Sequence, residues 1–369
     1  MRLRNLSIPL ALAATLALTL GGCSSSPKAA SSAKPAAVAK TSGVFCLVEK
    51  KKSEDMRAAA LSKAMEAALA KPENKKTVKP ENISVEKNSQ ISGQLKKKKC
   101  NNVLSLEPGF APEMLRIAKS NADINFAIMG ALGQAKSLPN ATGIDFDLWQ
   151  PAFLAGYAAA GVTKSGQVAA VSDLPREDID KNPGSALGKD PVSAWASAFR
   201  LGVEYYNQFK GSGIKFSYWE QSTGGPLRVK SAELHQQLLK LADEKVDVIF
   251  VVANPEETGA VAELAAKDAA AVWTGQDLAA NAPDLKANVL TSAVIDASGC
   301  AKQLLQQLKT GSIAGIDYRG TLKNSGVKLA GWGDYAPRFS DSLTAELAGI
   351  RSQIDSGKID ITKLETHRG

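Results

Sequence analysis

Histidine is scarce in this 369-residue chain, which has only His235 and His367. His235 falls in a polar-rich predicted helix and His367 in the C-terminal tail. Neither lies near a serine or cysteine in a recognisable nucleophile motif, so triad hydrolysis has no support. Cysteine is also sparse. Cys23, Cys46, Cys100 and Cys300 are spaced in no zinc-binding pattern. No acid–base pair, metal set or phosphate loop stands out, and the chain reads as a non-enzyme without cofactor or metal. The apolar run from Leu6 to Leu20 is too short for a membrane span, which takes about 20 residues. What is present is ordinary for a globular chain: 44% apolar and 22% charged residues. The formal charge of +8 sits largely in Lys50–Lys52 and Lys96–Lys99. No aromatic residues interleave these lysines, as a single-strand binder would require. They read as solvated charge at strand ends, and no nucleic-acid partner is expected.

The N-terminus carries an export pattern. Arg2 and Arg4 precede the Leu6–Leu20 run, and small Gly21 and Gly22 lead into Cys23. This resembles the bacterial lipoprotein cleavage site, in which the cysteine receives a diacylglycerol and becomes the mature N-terminus. The resemblance implies a signal peptide over 1–22, lipidation at Cys23, and a protein held on the outer face of the cell membrane. Residues 24–41 are Ser, Ala, Pro and Lys with no bulky apolar group, so they read as a tether. Removing 22 residues leaves 347, enough for two lobes of about 150 residues each.

Beyond the tether, apolar strands alternate with amphipathic helices. Strands are predicted at Gly43–Glu49, Val103–Leu106, Asn125–Met129, Gly143–Phe146, Gly166–Ser172, Ile214–Trp219, Asp247–Ala253, Ala271–Thr274 and Val289–Ala293. Helices are predicted at Asp55–Lys71, Pro112–Ser120, Pro151–Lys164, Val192–Phe209, Ser231–Glu244, Glu256–Ala269, Ser298–Leu308 and Leu343–Ser356. Residues 72–100, rich in Lys, Glu, Asn and Ser, carry no readable period. Strands separated by helices mean parallel sheets covered on both faces, and this many units fit two sheets better than one. Cys46 lies in the first strand and Cys100 just before the next. A bond between them is one alternative, and three isolated thiols (Cys46, Cys100, Cys300) are the favoured one.

Several segments in order resemble the basic membrane protein (Bmp) family of substrate-binding lipoproteins, which includes purine-nucleoside receptors of ABC importers. They are Asn125–Ile128 (NFAI), Ala152–Ala160 (AFLAGYAAA), Thr163–Val168 (TKSGQV), Ala198-Phe199 with Gly202-Val203, and Asp247–Phe250 (DVIF). Gly275 and Asp277, Val289–Ser292 (VLTS) and Ile354–Ile359 (IDSGKI) complete the set. The resemblance implies an α/β chain with the type I periplasmic-binding-protein fold: two doubly wound parallel-sheet lobes joined by crossing strands. The lobes would be 42–148 with 297–322, and 149–296 with 323–369. It implies a monomer that takes a small-molecule ligand in the cleft and passes it to an ABC permease. Ligands of such sheets bind outside the carboxyl ends of the strands.

The family stacks a nucleoside base on aromatic rings and holds ribose hydroxyls with carboxylates. Carried over position by position, the family's first acid falls on Glu49. Its Gly-Gly-x-x-Asp-Lys-Ser-Phe-Asn loop is replaced by Lys51–Asp55, which removes a stacking phenylalanine. The acid ending its third strand falls on Gly130, its second aromatic near Ser222, and its Gly-Gly-Thr-Gly loop on Asn254–Glu257. Asp277 keeps a family acid, while the lysine after Thr-Ser is Ile295. Trp149 and Trp219 are candidate replacement rings. The ligand set implied is therefore Glu49, Trp149, Trp219, Ser222, Asn254 and Asp277. A two-lobe lipoprotein acting through a protein or wall partner is the alternative, motivated by the missing loop and the lysine clusters.

Overall fold

The computed structural model describes residues 43–75, 79–174, 190–220 and 224–364. Its first half is built from β1 (Val44–Lys50), α1 (Met56–Leu69), the single turn α2 (Pro72–Lys75), β2 (Pro80–Val85) and α3 (Ile91–Lys98). β3 (Cys100–Ser105), α4 (Ala111–Ser120), β4 (Asn125–Met129) and β5 (Ala141–Phe146) follow. The strands are parallel, in the order β2-β1-β3-β4-β5. In β1, Phe45 and Leu47 face one core with Leu61 and Met65 of α1, while Cys46 and Val48 face another with α3 and α4. Burial on both faces makes such strands continuous apolar runs. Residues 72–100, unreadable in sequence, hold β2 and α3.

The favoured reading of three isolated thiols is corrected here. Cys46 and Cys100 are disulfide-bonded, with Cα atoms 5.9 Å apart, and Cys300 is the free, buried thiol. Neighbouring parallel strands bring the two side chains to the same face; Cys100 pairs with Val44, two residues before Cys46.

The second half begins with α5 (Trp149–Val162), β6 (Gln167–Ser172), α6 (Pro191–Lys210), β7 (Lys215–Ser217), β8 (Leu227–Arg228) and α7 (Ser231–Asp243). It continues with β9 (Val248–Val252), β10 (Ala270–Gly275), the short α8 (Leu278–Asn281) and β11 (Val289–Ile295). The chain then returns through α9 (Ser298–Lys309) to β12 (Tyr318–Gly320), which pairs with β5. It crosses again to β13 (Val327–Leu329), antiparallel to β11, and ends on α10 (Asp341–Asp355). The second sheet runs β13-β11-β10-β9-β6-β7, with β8 also on β6. The crossing segments lie side by side: the Asp147 amide donates to the Gly320 carbonyl and the Asp296 amide to the Gly326 carbonyl, at 2.8 and 2.9 Å.

The helix predicted over Glu256–Ala269 is instead two 3-10 turns, Glu257–Val261 and Ala265–Lys267. Ala262 between them is extended (ψ 150°), and Glu263 and Asp268 take positive φ. The buried Asn288 side chain accepts from the Ala265 amide at 2.8 Å, giving that donor a partner outside any helix. Among the described residues no helix is long and apolar enough to cross a membrane.

Candidate functional site

The carboxyl ends of β1, β3, β4 and β5 open onto the first turn of α6, and two chambers lie between them. The larger, about 550 Å³, is lined by Arg57, Gly130, Asp145, Asp147 and Arg319 from one side and Trp149, Pro191, Ala194 and Trp195 from the other. The smaller, about 310 Å³, sits beyond β1 and β3, walled by Asp55, Met56, Glu107 and Phe110 with Leu174 and Val192. The chain runs to opposite sides of β1 on reaching β2 and β3, so this chamber occupies a topological switch point. Arg57, Pro191 and Trp195 line both chambers.

Arg57 is placed by the start of α1. Asp55 caps that helix, accepting from the amides of Arg57 (2.8 Å) and Ala58 (3.2 Å). The same carboxylate takes Nη2 of Arg57 at 2.7 Å, and Nη1 lies 3.4 Å from Asp145. Burial works to raise the Asp55 pKa, but the Arg57 charge and the hydrogen bonds outweigh it and hold the carboxyl below its usual range. The Arg57 guanidinium stands 5.7 Å from the centre of the Trp195 ring.

Asp147 occupies the first crossing segment, and both its oxygens accept from Arg319 Nε at 2.9 Å. Its burial (6% exposed) nevertheless wins over the Arg319 charge and a hydrogen bond from Trp149, pushing its pKa up to about 6. Glu107, 5% exposed, is pushed up to about 7 by burial, with the Asp55 charge adding and a Ser53 hydrogen bond opposing. Its Oε1 has no hydrogen-bond partner among the described residues. Chemically, the larger chamber offers acceptors in Asp145 and Asp147, donors in Arg319 and Lys136, and aromatic surface on Trp149 and Trp195. A hydroxyl-bearing ring ligand meets all three requirements.

The sequence candidates distribute unevenly. Trp149, the first residue of α5, lines the larger chamber. Glu49 lies instead in a separate pocket of about 240 Å³ with Lys51 and Ser62. Asp277 caps α8, its Oδ1 accepting from the Ala280 amide at 3.2 Å, and faces a third pocket of about 370 Å³ between α1 and the ends of β10 and β11. Asn254 is a turn residue: its Oδ1 accepts from the Glu256 amide, and its own amide donates to Asp173. Trp219 packs edge-on against Phe216 (5.6 Å) beneath the Arg200 guanidinium (5.1 Å), and lines none of these cavities. Ser222 and Cys23 lie outside the described residues. Sequence reasoning missed Arg57, Asp145, Asp147, Trp195 and Arg319. The one available signal was Asp145-x-Asp147 at a strand end leading into a lobe crossing. Trp195 is 4% exposed and lines both chambers.

Comparison with known proteins agrees with this architecture. A family model described as Bmp, ABC transporter substrate-binding protein PnrA-like, matches residues 59–365. Basic membrane protein A of Borreliella burgdorferi is 26% identical over 249 residues, 66% of this chain; the match spans 65% of that relative's length. Among solved structures, a solute-binding protein of an ABC transporter system from Aeropyrum pernix K1 superposes with a TM-score of 0.66 at 14% identity, over 88% of this chain and 94% of that one. A transcriptional activator of the comK gene from Bacillus halodurans gives 0.61 at 14%, over 86% and 99%. A Bacillus halodurans solute-binding protein with bound myo-inositol gives 0.52 at 12%, over 81% and 99%. Identities this low show the shared fold, which is that of type I periplasmic binding proteins. With the family model covering most of its length, the chain belongs to the Bmp family of PnrA-like ABC transporter substrate-binding proteins.

Proposed function

We propose that this protein is the membrane-tethered solute-binding component of an ABC importer, lipidated at Cys23, and that its cleft takes a nucleoside or a related small polar ligand. The lobes would be residues 42–148 with 297–322 and 149–296 with 323–369. The observation that carries the reading is the larger chamber, where three carboxylates, two paired arginines and two tryptophans share about 550 Å³. The carboxyl oxygens of Asp145 and Asp147 suit ribose hydroxyls because they accept, and both hydroxyls donate. A base stacked on Trp149 contributes about 1–3 kcal/mol. Family membership supports an extracytoplasmic receptor that delivers its ligand to a permease, with no catalytic step. Mass spectrometry of small molecules released from the purified protein tests the ligand class. A nucleoside at near one per chain supports it, and another class at that ratio overturns it. The intact mass of the N-terminal peptide tests lipidation separately.

A second reading, a two-lobe lipoprotein acting through a protein or wall partner, is favoured by one observation: Arg57 and Trp195 already meet across the cleft. Recovery of a partner whose binding survives both Asp145→Ala and Trp149→Ala supports that reading, and recovery of a permease alone counts against it.

A further inference from the structure

We infer that the first turn of α1 is a built-in latch, in which Arg57 of the first lobe grips Trp195 of the second and holds the cleft closed without a ligand. Both partners are desolvated: the Arg57 side chain is 5% exposed and Trp195 4%. A cation over an indole face is attracted most strongly where water is excluded. The guanidinium is not free to wander, because Asp55 and Asp145, both from its own lobe, fix it by ion pairs at 2.7 and 3.4 Å. The arginine is thus oriented by the first lobe before the second arrives.

The adjacent residue makes a second bridge. Met56, 2% exposed, seats against Gly275 at the end of β10. A Cβ at Gly275 would lie 2.9 Å from the Met56 Cβ and 3.2 Å from its Sδ, and Gly275 has a φ of +87°. Gly275 therefore gives the room and the backbone conformation that this approach needs. Two successive side chains of one helical turn reach two different elements of the opposite lobe, α6 and β10.

The same contact partitions the cleft, since Arg57 and Trp195 line both chambers. A ligand confined to the larger chamber binds with the latch closed. A ligand spanning both must move Arg57 off the indole. Arg57 and Trp195 are thus positioning residues that set the size of ligand the closed form accepts, and this holds whichever ligand class the cleft takes.

The test is small-angle scattering of the purified full-length protein, stripped of small molecules by a guanidinium wash and refolding. Wild type, Arg57→Ala, Trp195→Ala and Trp195→Phe are compared, with circular dichroism confirming the fold of each. The wild type is expected to scatter as the closed form does. Both alanine variants are expected to show a larger radius of gyration, their closed-to-open ratio falling about 2- to 30-fold, the range of a lost cation–π contact. Trp195→Phe keeps an aromatic face and is expected to remain closed. Should Arg57→Ala fail to fold because Asp55 and Asp145 lose their cation, Trp195→Ala carries the test with those ion pairs intact. An open ligand-free wild type, or identical scattering from wild type and Trp195→Ala, would overturn the inference.

Discussion

Gly156 of α5 and Gly202 of α6 bring the two helices into backbone contact. A Cβ on Gly156 would collide with the Phe199 carbonyl oxygen, and one on Gly202 with the Phe153 carbonyl oxygen. That contact fixes α5, which carries Trp149, against α6, which carries Trp195. Each glycine meets backbone atoms rather than the end of a flexible side chain, so Gly156→Ala must separate the helices. We expect a loss of about 3 kcal/mol or more, at and beyond the upper end of core overpacking. Urea denaturation checks this, and a midpoint within error of wild type would contradict it.

The Cys46–Cys100 bond closes a loop across a sequence separation of 54 residues. In the chain-entropy account such a loop restricts the unfolded state by about 4 kcal/mol. Cys46→Ser with Cys100→Ser is expected to lower stability by roughly that amount, while wild type in reductant keeps its bond until it unfolds, because Cys46 is 0% and Cys100 3% exposed. Denaturation of both proteins with and without dithiothreitol measures the difference. Equal stability of the double variant and wild type would contradict it.

Glu107 gives stability a pH dependence of definite sign. Its pKa rises from 4.5 to about 7 on folding, so its contribution is complete below about pH 4.5 and is lost as pH rises through 7. Glu107→Gln is uncharged throughout and lacks that slope. Between about pH 4.5 and 8 the wild type is expected to lose up to about 3 kcal/mol relative to the variant. Urea midpoints across this range check it, and parallel pH profiles would contradict it.

The alternation of strands and helices was legible because strands buried on both faces read as apolar runs, β9 (VIFVV) being the clearest. β2 was not, since only Ile83 and Val85 are buried in that edge strand, and α3 buries only Ile91 and Leu95. β12 and β13 are three residues each, too short to show a period. In the site, Asp277 was visible through the family pattern and Trp149 as a replacement for its missing rings, and each now lines a different cavity. Arg57 and Trp195 carried no such signal. They meet because two lobes close, a relationship that neither local segment contains.

The most direct test of a solute held between the lobes is titration calorimetry with a panel of purine and pyrimidine nucleosides. Wild type is expected to bind at least one of them one-to-one at micromolar concentration, about −8 kcal/mol. Asp145→Ala and Trp149→Ala should each weaken that binding about 10-fold or more, corresponding to about 1.5–3 kcal/mol for a charge-assisted hydrogen bond and about 1–3 kcal/mol for a stacked base. Absence of heat from every nucleoside at millimolar concentration, or binding indifferent to both substitutions, would contradict the account.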